Sequence, residues 1–285
     1  MSYALQDRDL AAEIRHEIET KELQLPTLPE VALKVRDAVE NETADARQVA
    51  ELVTQDSALA ARLVQVANSP LYRGRVSIDN VQMAITRMGL KLVKSLVVSL
   101  AMKQIFQATS DALDKAFRSV WEDSIEVAAI ARVLATNVDG LEPEQAMLAG
   151  LIHNIGTLPI LTKLDHELGF DADPATVRHY TSELSPEIGC MILEHWHFTE
   201  SLKRIPCECT DLNRDSAQPD YTDLVLVARL QHLVSSGRAD EHTGIERWAE
   251  YPAFTKAGLE TTEVVVMDME GPAEEIAEVR SMLSS

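Results

Sequence analysis

The sequence predicts an all-α protein built from two packed helical lobes. Three observations favour this fold class. Apolar residues recur at helical spacing along most of the chain, capping residues precede several apolar runs, and no segment alternates convincingly between apolar and polar residues as a half-buried strand would. With 46% hydrophobic and 25% charged residues, the 285-residue chain can bury a substantial core.

The N-terminal segment is predicted to form an amphipathic helix. Leu10, Ile14 and Ile18 recur four residues apart between charged residues of the segment 7–23. The segment lacks the basic start and the uninterrupted apolar centre of a signal peptide, which predicts a cytoplasmic protein. We assign residues 1–22 to a helix able to dock on the body.

Capping and breaking residues mark the helices of the N-terminal lobe, residues 23–108. The predicted starts are Pro29, Asp45 with Gln48, Asp56, and Asp79 with Gln82. The predicted ends are Asn41, the Asn68-Ser69-Pro70 string and Gly89. A strongly apolar helix then runs from Leu90 to Phe106.

A second lobe is predicted for residues 109–236. A long helix runs from about Leu113 to Asn137, Pro143 opens another that reaches His153, and Gly156 breaks the chain. Further helices are predicted at about 174–182, 186–197 and 222–236.

The C-terminal extension, residues 237–285, is rich in loop-forming residues. TEVVVMDME, residues 262–270, could form a short strand, and an acidic helix is predicted from Pro272 to Leu283. Such an acidic segment is usually a solvated surface.

Charge and composition exclude several classes of function. The formal charge of -20 and the pI near 4.7 create a field that repels phosphate backbones and anionic membranes, so we expect no nucleic-acid or membrane partner. No run approaches the roughly 18 apolar residues of a membrane-spanning helix.

Three cysteines, Cys190, Cys207 and Cys209, are expected to be reduced thiols. Their C-x-C spacing, even with His195 and His197 nearby, argues against a zinc site.

Four stretches of the chain resemble a known family. LAGLIHNIGTLPIL is similar to the segment of the HD superfamily of metal-dependent phosphohydrolases in which adjacent His and Asp bind metal. LPTLPEV, QDSALAARLVQVANSPLY and AITRMGLKLVKSLVVSLAMKQIF resemble the HDOD branch, the HD-related output domain. The resemblance covers roughly residues 23–236 and implies an HD-like bundle for the second lobe.

The resemblance also places the positions at which the superfamily binds metal, and most of them have changed. His153 keeps the first residue of the His-Asp pair. The changed positions are Asp123 and Ser185, where His would stand, Asn154 and Arg229, where Asp would stand, and, more loosely, Glu208 at the last His position.

These substitutions predict a weak metal site. An amide oxygen is neutral, a serine hydroxyl is a poor ligand, and a guanidinium repels a divalent ion. We therefore interpret His153 as an interior histidine bonded to a carbonyl or carboxylate, in preference to a metal ligand. Asp123 and Arg229 are expected to form an ion pair in the vacated pocket.

The sequence thus favours a non-catalytic module, a pseudoenzyme, that binds a signalling protein or small ligand and needs no cofactor. The resemblance implies bacterial two-component and cyclic-dinucleotide pathways. The alternative is a phosphodiesterase with a divergent divalent-metal site. Tyr72, Arg73 and Arg75 are the predicted partner-binding residues, a basic exception on an acidic chain, although Tyr72 could instead cap the core. Homo-oligomerisation stays open.

Overall fold

The computed structural model describes residues 10–20, 22–40, 45–108, 110–168, 174–259 and 271–284, and these form helices and loops without a β-strand. The all-α prediction is confirmed. The strand suggested for residues 262–270 lies outside the described residues.

The N-terminal lobe follows the predicted helix order. It is preceded by α1 (Leu10–Glu19) and consists of α2 (Glu30–Glu40), α3 (Ala46–Thr54), α4 (Ser57–Ala67), α5 (Val81–Met88) and α6 (Leu90–Met102), which continues into a 3-10 turn, Lys103–Phe106. Asp45 and Gln48 form the predicted capping box of α3. The cap of α5 is Asn80, not Asp79, because the Asn80 side chain accepts from the Met83 amide.

The remainder of the chain begins with a 25-residue helix. Its elements are α7 (Asp111–Ala135), α8 (Pro143–Ile152), α9 (Thr157–Leu168), α10 (Pro174–His195), α11 (Glu200–Lys203), α12 (Ile205–Glu208), α13 (Tyr221–Ser235), a 3-10 turn at Ile245–Glu250, α14 (Pro252–Lys256) and α15 (Pro272–Ser284). The two helices predicted at 174–182 and 186–197 are one, since Pro186 lies inside α10 without ending it.

One continuous apolar core joins both lobes. It includes Leu96 of α6, Ile130 of α7 and Met147 of α8, each without exposed surface, and α6 packs directly on α8. Ile14 of α1 is also fully buried, and Arg15 pairs with Glu183 of α10 at 2.5 Å, so the N-terminal helix docks on the second lobe. The predicted domain boundaries stay predictions.

The C-terminal helix differs from its sequence expectation. α15 buries Ile276, Val279, Met282 and Leu283 and packs on α7. Although its sequence is acidic, the helix is part of the core and is not a freely solvated surface.

The apolar stretch Pro143–Glu167, which combines α8, a turn and α9, is long and apolar enough to cross a membrane by length and composition alone. This stretch contains charged and polar residues, so it does not contradict the expectation that no uninterrupted apolar run reaches about 18 residues. Of its most apolar 18 residues, 78% are buried inside the protein, which is typical of a core helix in a globular protein.

Candidate functional site

The predicted site lies where α7, α8 and α13 meet. Gly150 allows α8 to lie directly on α7, since a Cβ built on Gly150 would come 2.4 Å from the Ala128 Cα. This contact places His153, the C-terminal cap of α8, beside the middle of α7, which carries Asp123. α13 closes the site with Arg229 and His232.

His153 is buried and electrically neutral at physiological pH. Its Nδ1 lies 2.7 Å from the Gly150 carbonyl oxygen; because a carbonyl only accepts, Nδ1 carries the proton and Nε2 keeps its lone pair. Burial, followed by the positive charge of Arg229, lowers the pKa of His153 to about 3, against the opposing effects of the carbonyl bond and of Asp123. The interior histidine predicted from the sequence is what the structure contains.

The side chains of Arg238 and His232 hold Asp123. Arg238 donates two parallel hydrogen bonds, from its two terminal nitrogens to Asp123 Oδ1 at 2.8 Å and to Oδ2 at 2.9 Å. His232 Nε2 lies 2.9 Å from Oδ1. Burial opposes ionisation of the carboxyl, but the hydrogen bonds from His232 and Arg238 outweigh it and hold the pKa of Asp123 well below its usual range.

The expectation that Asp123 and Arg229 form an ion pair is wrong. Arg229 donates to the carbonyl oxygen of Cys209 at 2.5 Å and thereby ties α13 to the end of α12. Arg238, three residues beyond the end of α13, takes its place beside Asp123. Arg229 still contributes charge to the site, as its effect on His153 shows.

The side chain of Asn154 forms hydrogen bonds with residues of α7. Its Oδ1 lies 2.8 Å from the hydroxyl of Ser124, and its Nδ2 lies 3.5 Å from the Val120 carbonyl oxygen. Ser124 is fully buried, so this amide joins the turn after α8 to the interior of α7. The amide therefore acts as a structural link between the two helices.

Ser185 and Glu208 are directed to other partners. The Ser185 hydroxyl bonds with that of Thr157 at 3.0 Å, close to Gly156, where α10 touches the start of α9. Glu208 accepts a hydrogen bond from Arg214 Nε at 2.9 Å. Neither side chain is drawn into the group formed around Asp123.

The donor set does not fit a catalytic metal. The carboxylate of Asp123 is already satisfied by Arg238 and His232, and Arg229 adds a second fixed positive charge near His153. Among the described residues, no group of three or more His, Cys, Asp or Glu side chains is placed to hold a metal ion. A divalent ion would have to displace Arg238 before it could share Asp123 with a histidine.

The cysteines differ from the sequence expectation. Cys190 of α10 and Cys207 of α12 are joined by a disulfide, whereas Cys209 is free and buried. The expectation of three reduced thiols is therefore wrong for one pair. His195 and His197 are both exposed near this pair, as expected for solvated side chains.

The predicted partner-binding residues divide into two kinds. Tyr72 is half-buried: its hydroxyl donates to Glu144 at 3.0 Å, and the guanidinium of Arg132 lies 5.7 Å from the centre of its ring. Burial, the largest cause, raises the pKa of Tyr72 above its usual range. Arg73 and Arg75 are exposed, and Val76 beside them is 65% exposed. Tyr72 thus anchors the loop, while its neighbours face solvent.

A family model for the HDOD domain matches residues 25–206, well over half of the chain. The chain belongs to the HDOD family. The matched residues include His153 and Asn154, while Arg238 lies beyond them.

Solved structures agree with this assignment. A protein of Shewanella amazonensis SB2B, named "Putative metal-dependent phosphohydrolase", is 30% identical, with a TM-score of 0.83 over 96% of this chain and 98% of that chain. An HDOD domain protein with unknown function from Geobacter sulfurreducens shares the fold at 18% identity and a TM-score of 0.67, over 97% and 99% of the two chains. A "Putative signal transduction protein" of Marinobacter aquaeolei VT8 shares it at 21% and 0.63, over 98% and 67%.

A curated relative carries no functional description. It is an uncharacterized protein of Treponema pallidum (strain Nichols), 25% identical over 211 residues. That region is 68% of this chain and 38% of the relative, so the chain spans well under half the length of the relative that it matches.

Two residues of the site were not predicted from the sequence. His232 and Arg238 complete the group around Asp123, but they stand 109 and 115 residues away from it in the sequence. His232 could have been found, because it lies one turn after Arg229 on the predicted helix 222–236. Nothing in the local sequence of Arg238 indicates that its loop returns to α7.

Proposed function

We propose that this HDOD protein is a non-catalytic signalling module that binds a partner protein or small ligand. The observation that carries the proposal is the bidentate pair of hydrogen bonds from Arg238 to Asp123. The superfamily resemblance assigns the first metal ligand of a hydrolase to the position of Asp123. A metal-dependent hydrolase needs an ion that lowers the pKa of bound water, and here a guanidinium already neutralises the carboxylate.

The alternative is a phosphodiesterase with a rearranged metal site. One observation favours it: His153, Asp123 and His232 are close enough to influence one another electrostatically, and two histidines and a carboxylate are ligand types that transition metals accept. The name of the Shewanella amazonensis protein points the same way. This alternative requires Arg238 to swing away from Asp123.

Metal analysis and turnover separate the two functions. We expect protein purified without chelator, then loaded with Mn²⁺, Fe²⁺ or Zn²⁺ and desalted, to retain less than one ion per chain and to leave a bis(p-nitrophenyl) phosphate solution unhydrolysed. Stoichiometric metal together with turnover would overturn the proposal. The matched comparison is Arg238→Ala, which frees Asp123 without adding a ligand.

Restoring metal ligands tests whether the metal-binding positions of the superfamily have been assigned to the right residues of this chain. The combined variant Asp123→His, Asn154→Asp, Arg229→Asp and Arg238→Ala should bind metal well above the parent, because it supplies the His and Asp types that the superfamily resemblance places at these positions. A folded combined variant with the metal content of the parent would show that the correspondence is wrong. Affinity capture from native cells, followed by mass spectrometry, would identify the partner.

A further inference from the structure

Cys190 and Cys207 lie in the wall of a cavity whose lining includes none of the residues around Asp123. The cavity, of about 850 Å³, opens between the N-terminal segment and helices α10 to α12. Its apolar lining includes Ile18, Leu23 and Met191. A cavity of this size accommodates a small molecule.

The two cysteines are placed for reversible pairing. Their Cα atoms are 6.1 Å apart, within the range that a disulfide spans. Cys207 is exposed, Cys190 is half-buried, and the Cys207 amide donates to Cys190 Sγ at 3.1 Å. This donor lies beside the Cys190 sulfur, so it stabilises the Cys190 thiolate, the form that attacks a mixed disulfide formed on Cys207.

The contact between α10 and α12 does not depend on the sulfur bond. A Cβ built on Gly189 would lie 2.5 Å from the Pro206 Cβ, so the proline ring sits directly on the backbone of α10. On the other side, Arg229 holds the Cys209 carbonyl oxygen. The reduced thiols therefore stay within reach of each other, which is the condition for a pair that opens and closes repeatedly.

We propose that Cys190 and Cys207 are a thiol–disulfide exchange site for a small-molecule disulfide with charged ends, such as a short peptide disulfide. The exposed Cys207 thiolate attacks one sulfur of the incoming disulfide and releases one small thiol. The Cys190 thiolate then attacks the Cys207 sulfur of the mixed disulfide and releases the second small thiol. Each step forms one S–S bond and breaks one, and reduction by the same thiol runs the two steps in reverse.

The cavity lining supports the choice of a charged small molecule. Glu17, Glu194, Lys203 and Arg204 bring both signs of charge to the surface that Cys190 and Cys207 share. Lys203 pairs with Glu194 and Glu200, and Glu17 pairs with Lys163, so a molecule with ammonium and carboxylate ends would exchange with these pairs while the apolar lining receives its middle. This site goes beyond the proposed signalling function and does not depend on it.

Glutathione redox buffers test the proposal on the full chain. Native protein is equilibrated at graded ratios of glutathione to glutathione disulfide, quenched with acid, denatured, and alkylated with N-ethylmaleimide. Three cysteines should be alkylated in the reducing limit and only Cys209 in the oxidising limit. The circular dichroism spectrum should stay helical throughout. Three alkylated cysteines at every ratio, or one at every ratio, would overturn the proposal.

Single variants test the order of attack. Cys190→Ser should accumulate glutathione on Cys207, because no second thiol resolves the mixed disulfide. Cys207→Ser should gain adduct on Cys190 at least several-fold more slowly, since Cys190 is less exposed. Cys209→Ser is the matched control and should still form the Cys190 to Cys207 disulfide. Equal rates of adduct formation in the first two variants would contradict the proposed order.

Discussion

Arg238 neutralises the carboxylate of Asp123 beside α7 and the end of α13. Its side chain is 47% exposed and that of Asp123 is 35% exposed, so water screens the pair and its contribution to stability is modest, about 0.5–1 kcal/mol. The pair therefore matters more for the charge state of the site than for the stability of the fold.

Arg238→Gln should raise the pKa of Asp123 toward the ordinary value for aspartate, because two charge-assisted hydrogen bonds are lost. Wild-type protein draws stability from this carboxyl at neutral pH and loses it below about pH 4, where the unfolded state takes up the proton first. Carbon-13 NMR titration of the carboxyl measures the shift. Arg247→Gln, which breaks an exposed pair with Glu250, is the control and should leave Asp123 unchanged.

His153 predicts a second pH dependence with the same sign. Its pKa is about 3 in the folded protein and about 6.5 in an unfolded chain, so the unfolded state gains a proton first as the pH falls. The free energy of unfolding should drop by about 2 kcal/mol more between pH 7 and pH 5 than in His153→Gln. Urea denaturation at the two pH values measures this difference. If the exposed control His195→Gln flattens the dependence as much, His153 is not its cause.

Among the elements, the close contact between the turn after α8 and α10 is the most sensitive to added volume. A Cβ on Gly156 would come 2.1 Å from the Ser185 carbonyl oxygen and 2.5 Å from the Gly189 nitrogen. Both are backbone atoms and cannot rotate away. Gly156→Ala should therefore destabilise the protein by about 2–3 kcal/mol.

Thermal or urea unfolding of Gly156→Ala measures this cost. The control is Gly74→Ala, whose Cβ would meet only the end of the flexible Arg87 side chain, at 3.4 Å. That variant should unfold within about 0.5 kcal/mol of the parent. A Gly156→Ala protein as stable as the Gly74→Ala protein would mean that α10 can move away from α9 freely.

The C-terminal helix should behave as a core element. Ile276→Ala should cost about 2–4 kcal/mol, because the side chain is 1% exposed on α7. Glu274→Ala, two residues earlier and exposed, should change the free energy of unfolding by less than about 0.5 kcal/mol. Equal effects in chemical denaturation would show that α15 is detached in solution.

Local signals predicted the helices better than the contacts between them. The Asp45 and Gln48 spacing identified a capping box because both bonds form within four residues. Pro186 misled the prediction, since a proline usually ends a helix, yet α10 runs through it. The acidic composition of α15 concealed its apolar face, and Arg238 reaches Asp123 through tertiary structure that no local spacing encodes.

For the molecule as a whole, the exposed loop around Arg73 and Arg75 is a local basic surface on a chain of charge -20. Tyr72, Glu144 and Arg132 anchor the loop to α7 and α8. Arg132 also pairs with Glu275 of α15, so the N-terminal lobe, the long central helix and the C-terminal helix meet at one buried ionic group. A partner that moved this loop would act on all three.

Arg73→Glu combined with Arg75→Glu should weaken capture of an acidic partner from native cells by at least about tenfold, through slower association that depends on salt. The control is Arg47→Glu with Lys91→Glu, which makes the same charge change at exposed sites on α3 and α6. Surface plasmon resonance against the captured protein measures both. Equal binding by the two double variants would place the partner surface elsewhere.

The bond between Arg238 and Asp123 determines what this site needs from the cell. Where an ion neutralises a carboxylate, the charge of the site follows the free concentration of that ion. A guanidinium is synthesised with the chain and is charged at every physiological pH. On the metal-free function that we propose, the charge of this site would therefore stay the same when a cell is starved of iron, manganese or zinc.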